Sequence, residues 1–252
     1  MTDRETGRVA VVTGAASGIG AAVCARLARQ GCRIAALDLD ADAAETLAGA
    51  LRDEGHDAIA CFVDVADRDS IDRAYGVARE ALGPIEILVT SAAVSGFVPF
   101  EALTLEAWER TIAVNLTGTF HCIQAAIPDM AEAGWGRVVT LSSAAGQSAS
   151  PRQADYSASK GGVIALTKTI AVEYGARGVT VNSVAPFAVD TPLLRAQQEN
   201  DLLPPDKVVH QMIPAGRMAS TDEIASMCAY LCSEDAGYVT GQIIGVNGGA
   251  LT

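Results

Sequence analysis

The run Arg8-Val9-Ala10-Val11-Val12-Thr13-Gly14-Ala15-Ala16-Ser17-Gly18-Ile19-Gly20 decides how the chain is to be read. A short β-branched segment stops at a glycine, and apolar residues then return four apart at Ile19, Val23 and Leu27 until Gly31. Period two giving way to period 3.6 across a glycine loop predicts a strand, a tight turn and a helix over Ile19–Gln30. Glycines at 14, 18 and 20 let the backbone turn sharply. They also let an anion sit against the helix's amino end, where unpaired N–H groups and the helix dipole favour negative charge. Ser17, Gly18 and Ile19 fall at that anion site. No Lys-Ser or Lys-Thr pair follows the loop, so it does not read as a nucleoside-triphosphate loop.

Outward from this unit the alternation continues. Strands are predicted at Arg33–Asp38, Ala58–Val63, Glu86–Thr90, Arg137–Leu141, Val179–Val184 and Gln242–Val246. Helices are predicted between them near 41–54, 67–82, 105–132, 155–174 and 221–232. Nearly continuous apolar strands alternating with helices predict an α/β protein. Its fold class is a Rossmann-like, doubly wound parallel sheet of about seven strands with helices on both faces. No linker or repeat divides the chain, so one domain over 1–252 is expected. The segment 187–219, irregular and marked by Pro192, Pro204, Pro205 and Pro214, follows the sixth strand. Ligands bind at that edge of open α/β sheets, and the segment reads as a substrate lid.

Composition narrows the partners. The net charge is −12, and none of the 18 basic residues forms a run, which argues against nucleic acid. No apolar stretch has the length of a membrane span. The six cysteines are dispersed, with no CxxC pair and no His at ligand spacing, so no metal is expected. This usage fits a reducing compartment, and a cytoplasmic location is the expectation.

Asp38 ends the second strand, eighteen positions beyond Gly20. A carboxylate there accepts hydrogen bonds from adenosine ribose hydroxyls and repels a 2′-phosphate, which selects NAD over NADP. Like charges ~4 Å apart cost about 4 kcal/mol at an effective dielectric near 20, less in contact with solvent. Ser17 and Leu39 occupy the places where a compensating base would stand. Farther on, Tyr156 and Lys160 lie one helical turn apart, on one face. A free phenol titrates near pH 10. An ammonium one turn away stabilises the phenolate, so a lowered Tyr156 pKa is expected. Ser143, thirteen residues upstream, follows the fifth strand and reaches the same sheet edge, where its hydroxyl can hold a substrate oxygen while Tyr156 moves the proton.

With these elements in place the chain resembles the short-chain dehydrogenase/reductase family over essentially its whole length. The matching motifs are Thr13-Gly14-x-x-x-Gly18-x-Gly20, Asp64-Val65, Val114-Asn115-Leu116, Ser143-x-x-Gly146, Tyr156-x-x-x-Lys160 and Val181-Asn182-x-Val184-x-Pro186. The resemblance implies hydride transfer between a nicotinamide cofactor and a small secondary alcohol or ketone. Ser143, Tyr156, Lys160 and Asn115 would be the catalytic set. It implies cofactor contacts at Asp64 and Val65 beside the adenine, at Ala92 and Pro186, at Thr191 on the carboxamide, and at Lys160 on the nicotinamide ribose. Asn115, inside a helix, would free a backbone carbonyl to hold a water in a proton path, and Asp64 reads equally as a helix cap. The family also implies a homotetramer, with the apolar stretch 243–251 at a subunit interface.

Two departures from the family pattern stand out. Thr90-Ser91-Ala92-Ala93 replaces the usual Asn-Asn-Ala-Gly, and Phe187 stands where a glycine usually follows Pro186. The expected substrate is an apolar or cyclic, steroid-like secondary alcohol, in a pocket formed by Phe97, Phe100, Phe187, Leu193 and Leu194. The alternative is a 3-oxoacyl thioester (CoA or carrier-protein) reductase or 3-hydroxyacyl-CoA dehydrogenase. The stretch 129–136, with no base before Arg137, weighs together with Asp38 against a carrier protein, although Arg177 remains. A non-catalytic NAD-binding protein rests only on the altered 90–93 motif.

Overall fold

The computed structural model describes residues 7–252. The polar stretch Met1–Thr6 lies outside the described residues. In β1 (Val9–Thr13) the side chains alternate faces as a pleated strand requires. Ala10 and Val12 enter one apolar layer, and Val9 and Val11 enter the other. All seven predicted strands form. They are β1, β2 (Arg33–Asp38), β3 (Ala58–Phe62), β4 (Ile87–Thr90), β5 (Gly136–Leu141), β6 (Val179–Pro186) and β7 (Ile243–Val246). They make one parallel sheet in the order β3-β2-β1-β4-β5-β6-β7. The order reverses beside β1, between β1 and β4, and the crevice at that switch point is where doubly wound sheets bind ligands.

Helices cover both faces because each strand carries apolar residues on both. On one face lie α1 (Gly18–Arg29), α2 (Ala41–Asp53) and α9 (Thr221–Cys232), through residues such as Val23, Leu27, Leu51, Ile224 and Cys228. On the other lie α3 (Arg68–Leu82), α5 (Gly118–Ala133) and α6 (Ala154–Tyr174), through Ile71, Tyr75, Ile123, Met130 and Ala171. Cys228 and Cys232, one turn apart on α9, are packed in the core. Among the described residues no cysteine is in a disulfide.

Two expectations need correction. The single helix anticipated over 105–132 is three segments: α4 (Leu105–Ile112), a wide π turn at Ala113–Thr117, and α5. Such turns insert one residue into a helix and redirect its neighbours, commonly at functional sites. This one carries Asn115. The lid region is also more ordered than an irregular loop. It folds into α7 (Pro192–Glu199) and α8 (Asp206–Gln211) around a small cluster of Leu194, Val209, Ile213 and Met218. A bridge between Val189 and Ala219 closes its base. Pro192 at the first helical position is what made the segment look broken in sequence, yet proline there starts a helix.

Candidate active site

The glycine loop is held by close packing. Gly14 has φ +67°, and a Cβ on it would lie 2.6 Å from the Ala92 backbone nitrogen. A Cβ on Gly20 would lie 2.0 Å from the Gly14 carbonyl oxygen. Only glycine allows β1, the loop and α1 to come together this tightly. Ser17 caps α1 without a side-chain hydrogen bond, and no acidic residue sits in the first helical turn. No side chain therefore claims the N–H groups at the helix start, and the cradle fits a diphosphate. Asp38 stands beside it: the Ala16 N–H donates to Oδ2 (2.9 Å) and the Asp40 N–H to Oδ1 (3.0 Å). One carboxylate thus ties the loop to the end of β2 and keeps a face toward the cavity. Its cavity neighbours Leu39, Val63 and Asp64 include no base.

From this cradle a cavity of about 870 Å³ runs along the sheet edge to the lid. It brings together Gly14, Ser17, Gly18, Ile19, Asp38, Asp64, Val65, Ala92, Ser143, Tyr156, Lys160, Pro186 and Thr191 of the anticipated residues. Gly20 and Asn115 do not line it. Gly20 lies behind the loop, and Asn115 is wholly buried one layer down.

Ser143 follows β5, and its Oγ accepts from the Ala145 N–H (3.1 Å), which turns the chain toward α6. Tyr156 and Lys160 project from the first turns of α6. The Lys160 Nζ lies 5.6 Å from the Tyr156 ring centre and donates to the Leu141 carbonyl (2.7 Å). Burial pulls the Lys160 pKa down to about 8. The half-buried Tyr156 is raised instead, chiefly by loss of solvent, while a hydrogen bond with Ser143 pulls it down. The sequence expected lysine to lower it. With the ammonium held on Leu141, desolvation dominates in this structure.

Asn115 acts through its side chain as well as its carbonyl. Its Oδ1 accepts from the Val94 N–H (2.8 Å), and its Nδ2 donates to the Val94 carbonyl (2.9 Å) and to Ser159 Oγ (3.1 Å). It thereby clamps the segment after β4 to α6. Its backbone carbonyl accepts from Thr119 Oγ1 (2.8 Å). Asp64 does not cap α3, because Asp67 does. Asp64 Oδ1 accepts from the Ala66 N–H in the preceding turn. Thr191 caps α7 through its Oγ1 and leaves its methyl beside Gly18.

The two departures have local consequences. Thr90 Oγ1 is buried without a hydrogen-bond partner, as a shortened replacement for a bridging amide would be. Phe187 is not in the left-handed region. Among the described non-glycine residues only Arg152 and Asp201 have positive φ, so Phe187 is unstrained. Phe97, Phe187, Leu193 and Leu194 line the cavity as anticipated, but Phe100 points away and is 77% exposed. Sequence reading missed Ser95, Gln153 and Gln197, which also face the cavity. Gln153 carried a usable signal in lying one turn before Tyr156; Ser95 and Gln197 carried none.

A dinucleotide cradle joined to a Ser-Tyr-Lys cluster at one sheet edge defines a nicotinamide-linked oxidoreductase. The comparisons agree. A family model described as Enoyl-(Acyl carrier protein) reductase matches residues 14–251. D-threitol dehydrogenase of Mycolicibacterium smegmatis is 43% identical, with 98% of this chain and 94% of that protein covered. Cis-4-hydroxycyclohexanecarboxylate dehydrogenase of Sinomonas cyclohexanicum is 40% identical, with 96% of each covered. The solved structure described as gox2181 superposes with a TM-score of 0.94 at 34% identity, covering 98% of this chain and 97% of that one. The chain belongs to the short-chain dehydrogenase/reductase family and is an oxidoreductase of CH–OH groups. Among the described residues no helix is long and apolar enough to cross a membrane, and no cluster of His, Cys, Asp and Glu could hold a metal.

Proposed function

We propose that the protein is an NAD(H)-dependent dehydrogenase that interconverts a secondary alcohol and its ketone where Ser143, Tyr156 and Lys160 meet the cavity. The observation that carries this reading is the placement of those three side chains and Asp38 along one continuous cavity. Gly14, Ser17, Gly18 and Ile19 would hold the diphosphate, Asp38 the adenosine ribose, Asp64 and Val65 the adenine, and Ala92, Pro186 and Thr191 the nicotinamide half. Asp38 is the ground for NAD rather than NADP. When bound, the nicotinamide supplies the hydride acceptor.

The chain's own residues handle the oxygen and its proton. Ser143 donates to the substrate oxygen and fixes it beside Tyr156. Tyr156, as phenolate, takes the hydroxyl proton as the carbonyl forms, and returns it in the reverse direction. Its raised pKa keeps the phenol protonated until a positive charge approaches. Lys160, held here on the Leu141 carbonyl, would supply that charge and would bind the nicotinamide ribose hydroxyls. Asn115 holds the segment 94–95 against α6 and so keeps the cluster in register. The lid 187–219 covers the alcohol. Dispersed, unbridged cysteines fit a cytoplasmic protein, and family membership fits a homotetramer.

The thioester reading is the second one, favoured by a relative named acetoacetyl-CoA reductase, from Cupriavidus necator, that is 37% identical over 97% of this chain. Arg137 is only 3% exposed and donates to Ser233 and Gly136 carbonyls, so it offers no docking charge to an acidic carrier.

Positioned acid–base catalysis is worth roughly 10²–10⁴ in rate. Tyr156→Phe should lose at least that much kcat in NAD-linked alcohol oxidation while still binding NADH. Turnover near that of the unmodified protein would refute the assignment.

A further inference from the structure

Part of the cavity lining is polar, formed by Ser95, Gln153 and Gln197. Gln153 is 7% exposed and ends the approach to α6, three residues before Tyr156. Its Nε2 donates to Ser95 Oγ (2.9 Å), and its Oε1 accepts from Ser150 Oγ (2.6 Å). From the lid, Gln197 Nε2 donates to the Ser95 carbonyl (3.3 Å). The segment after Ser95 is anchored separately, by Arg152 to the Phe97 carbonyl (3.1 Å) and by the Val98 N–H to the Arg152 carbonyl (2.7 Å). Ser95 is thus the meeting point of the catalytic helix, the segment after β4 and the lid.

These bonds do not exhaust the groups. A carboxamide has two N–H donors and two acceptor lone pairs, and a hydroxyl has one donor and two lone pairs. Gln153 uses one donor and one acceptor site here, Ser95 Oγ uses one acceptor site, and Gln197 leaves its Oε1 unused. The spare capacity borders the same cavity as Tyr156 and Ser143, with Gln153 three residues before Tyr156 at the start of α6. Closing the lid over a wholly apolar substrate would strip water from these groups without replacing its hydrogen bonds, which is unfavourable. Phe97, Phe187 and Leu193, which line the same cavity, can cover a carbon skeleton at the same time.

We infer that Ser95, Gln153 and Gln197 read a second hydroxyl close to the reacting carbinol, so that the substrate class is a diol or polyol, open-chain or cyclic, rather than a steroid-like mono-alcohol. This rests on the dehydrogenase reading above and narrows it. Sites built to hydrogen-bond a substrate hydroxyl discriminate strongly against analogues lacking it, by as much as about 10⁴-fold in enclosed pockets. For a cavity reached through a lid, a preference of about 10- to 100-fold is expected.

The test is NAD reduction by the intact protein with matched pairs: cyclohexanol against cis- and trans-1,2-cyclohexanediol, and 2-butanol against 2,3-butanediol and the tetritols. The diol member should have the higher kcat/KM by at least about tenfold, chiefly through KM. In Gln153→Leu, and separately in Ser95→Ala, that diol-to-mono-ol ratio should fall about tenfold or more. NADH binding checks that each variant is folded, and Ser95→Ala keeps the backbone contacts should the larger change unfold the wall. Equal or better use of mono-alcohols by the unmodified protein overturns the inference and leaves the dehydrogenase reading standing. So does a ratio that stays constant while both activities drop. Failure of every alcohol of both kinds to reduce NAD overturns the dehydrogenase reading, and this inference falls with it.

Discussion

The glycine cradle and the lid both border the cavity, but they are held in different ways. At the cradle, backbone meets backbone, with Gly14 against Ala92 and Gly20 against the Gly14 carbonyl, and the Ala16 N–H donates to the Asp38 carboxylate. The lid has its own cluster of four buried side chains and touches the rest through a few points. These include Val189 and Ala219 packed into the layer of α1 and α9, Gln197 on Ser95, and the Ala215 N–H on the Gly248 carbonyl. Its ion pairs, Arg195 with Asp190 and Asp206, are exposed and add little stability. On the proposed reading the cradle would serve the part of the reaction that is the same for every alcohol, which close steric fit suits. The lid would serve the part that varies, which suits a semi-independent unit that can change without disturbing the sheet.

The strongest way to break the comparison is at Gly20. The Cβ of Gly20→Ala would lie 2.0 Å from the Gly14 carbonyl oxygen, and backbone cannot step aside as a side chain can. Overpacking costs about 1–3 kcal/mol where neighbours can adjust, and more is expected here. Thermal melting should show a large drop in Tm, with NADH binding lost in whatever remains folded. A variant with unchanged Tm and NADH affinity would show that the cradle is as adaptable as the lid.

Asp38→Ala is expected to be milder. It removes a carboxylate that orders the Ala16 and Asp40 N–H groups and repels a 2′-phosphate. The NADP-to-NAD ratio of kcat/KM should rise about tenfold or more, below the full ~4 kcal/mol of an unscreened pair at an effective dielectric near 20. Parallel kinetics with both cofactors decide it, and an unchanged ratio would remove Asp38 from cofactor choice.

The same contrast explains what could be read from sequence. The cradle was legible because each requirement is local. Strand, glycines, helix and Asp38 follow one another at fixed spacing, and so do Tyr156 and Lys160 on one helix. The break in the 105–132 helix was not legible, since the π turn at Asn115 answers to partners far away in sequence, Val94 and Ser159. Ser95, Gln153 and Gln197 were missed for a similar reason: three segments come together only when the chain folds. The direction of the Tyr156 shift was misread because spacing shows a neighbouring ammonium but not the loss of water around the phenol, nor the Leu141 carbonyl that holds Lys160.

The smallest expected effect comes from Met218→Ala, which tests whether the lid is semi-independent. Met218 packs with Leu194, Val209 and Ile213 and belongs to neither sheet-facing layer. Truncating a core methionine costs about 2–5 kcal/mol in a well-packed interior. A small cluster at the surface can collapse more easily, and a local loss of about 1 kcal/mol is expected. Hydrogen exchange should then speed up over residues 187–219 while β1 and α1 keep their protection, as expected for units that open separately. The KM for the alcohol should rise, with NADH affinity and the Tyr156-dependent step little changed. If protection is instead lost uniformly across the sheet, lid and cradle unfold as one unit, and the division of labour between them is only one of position.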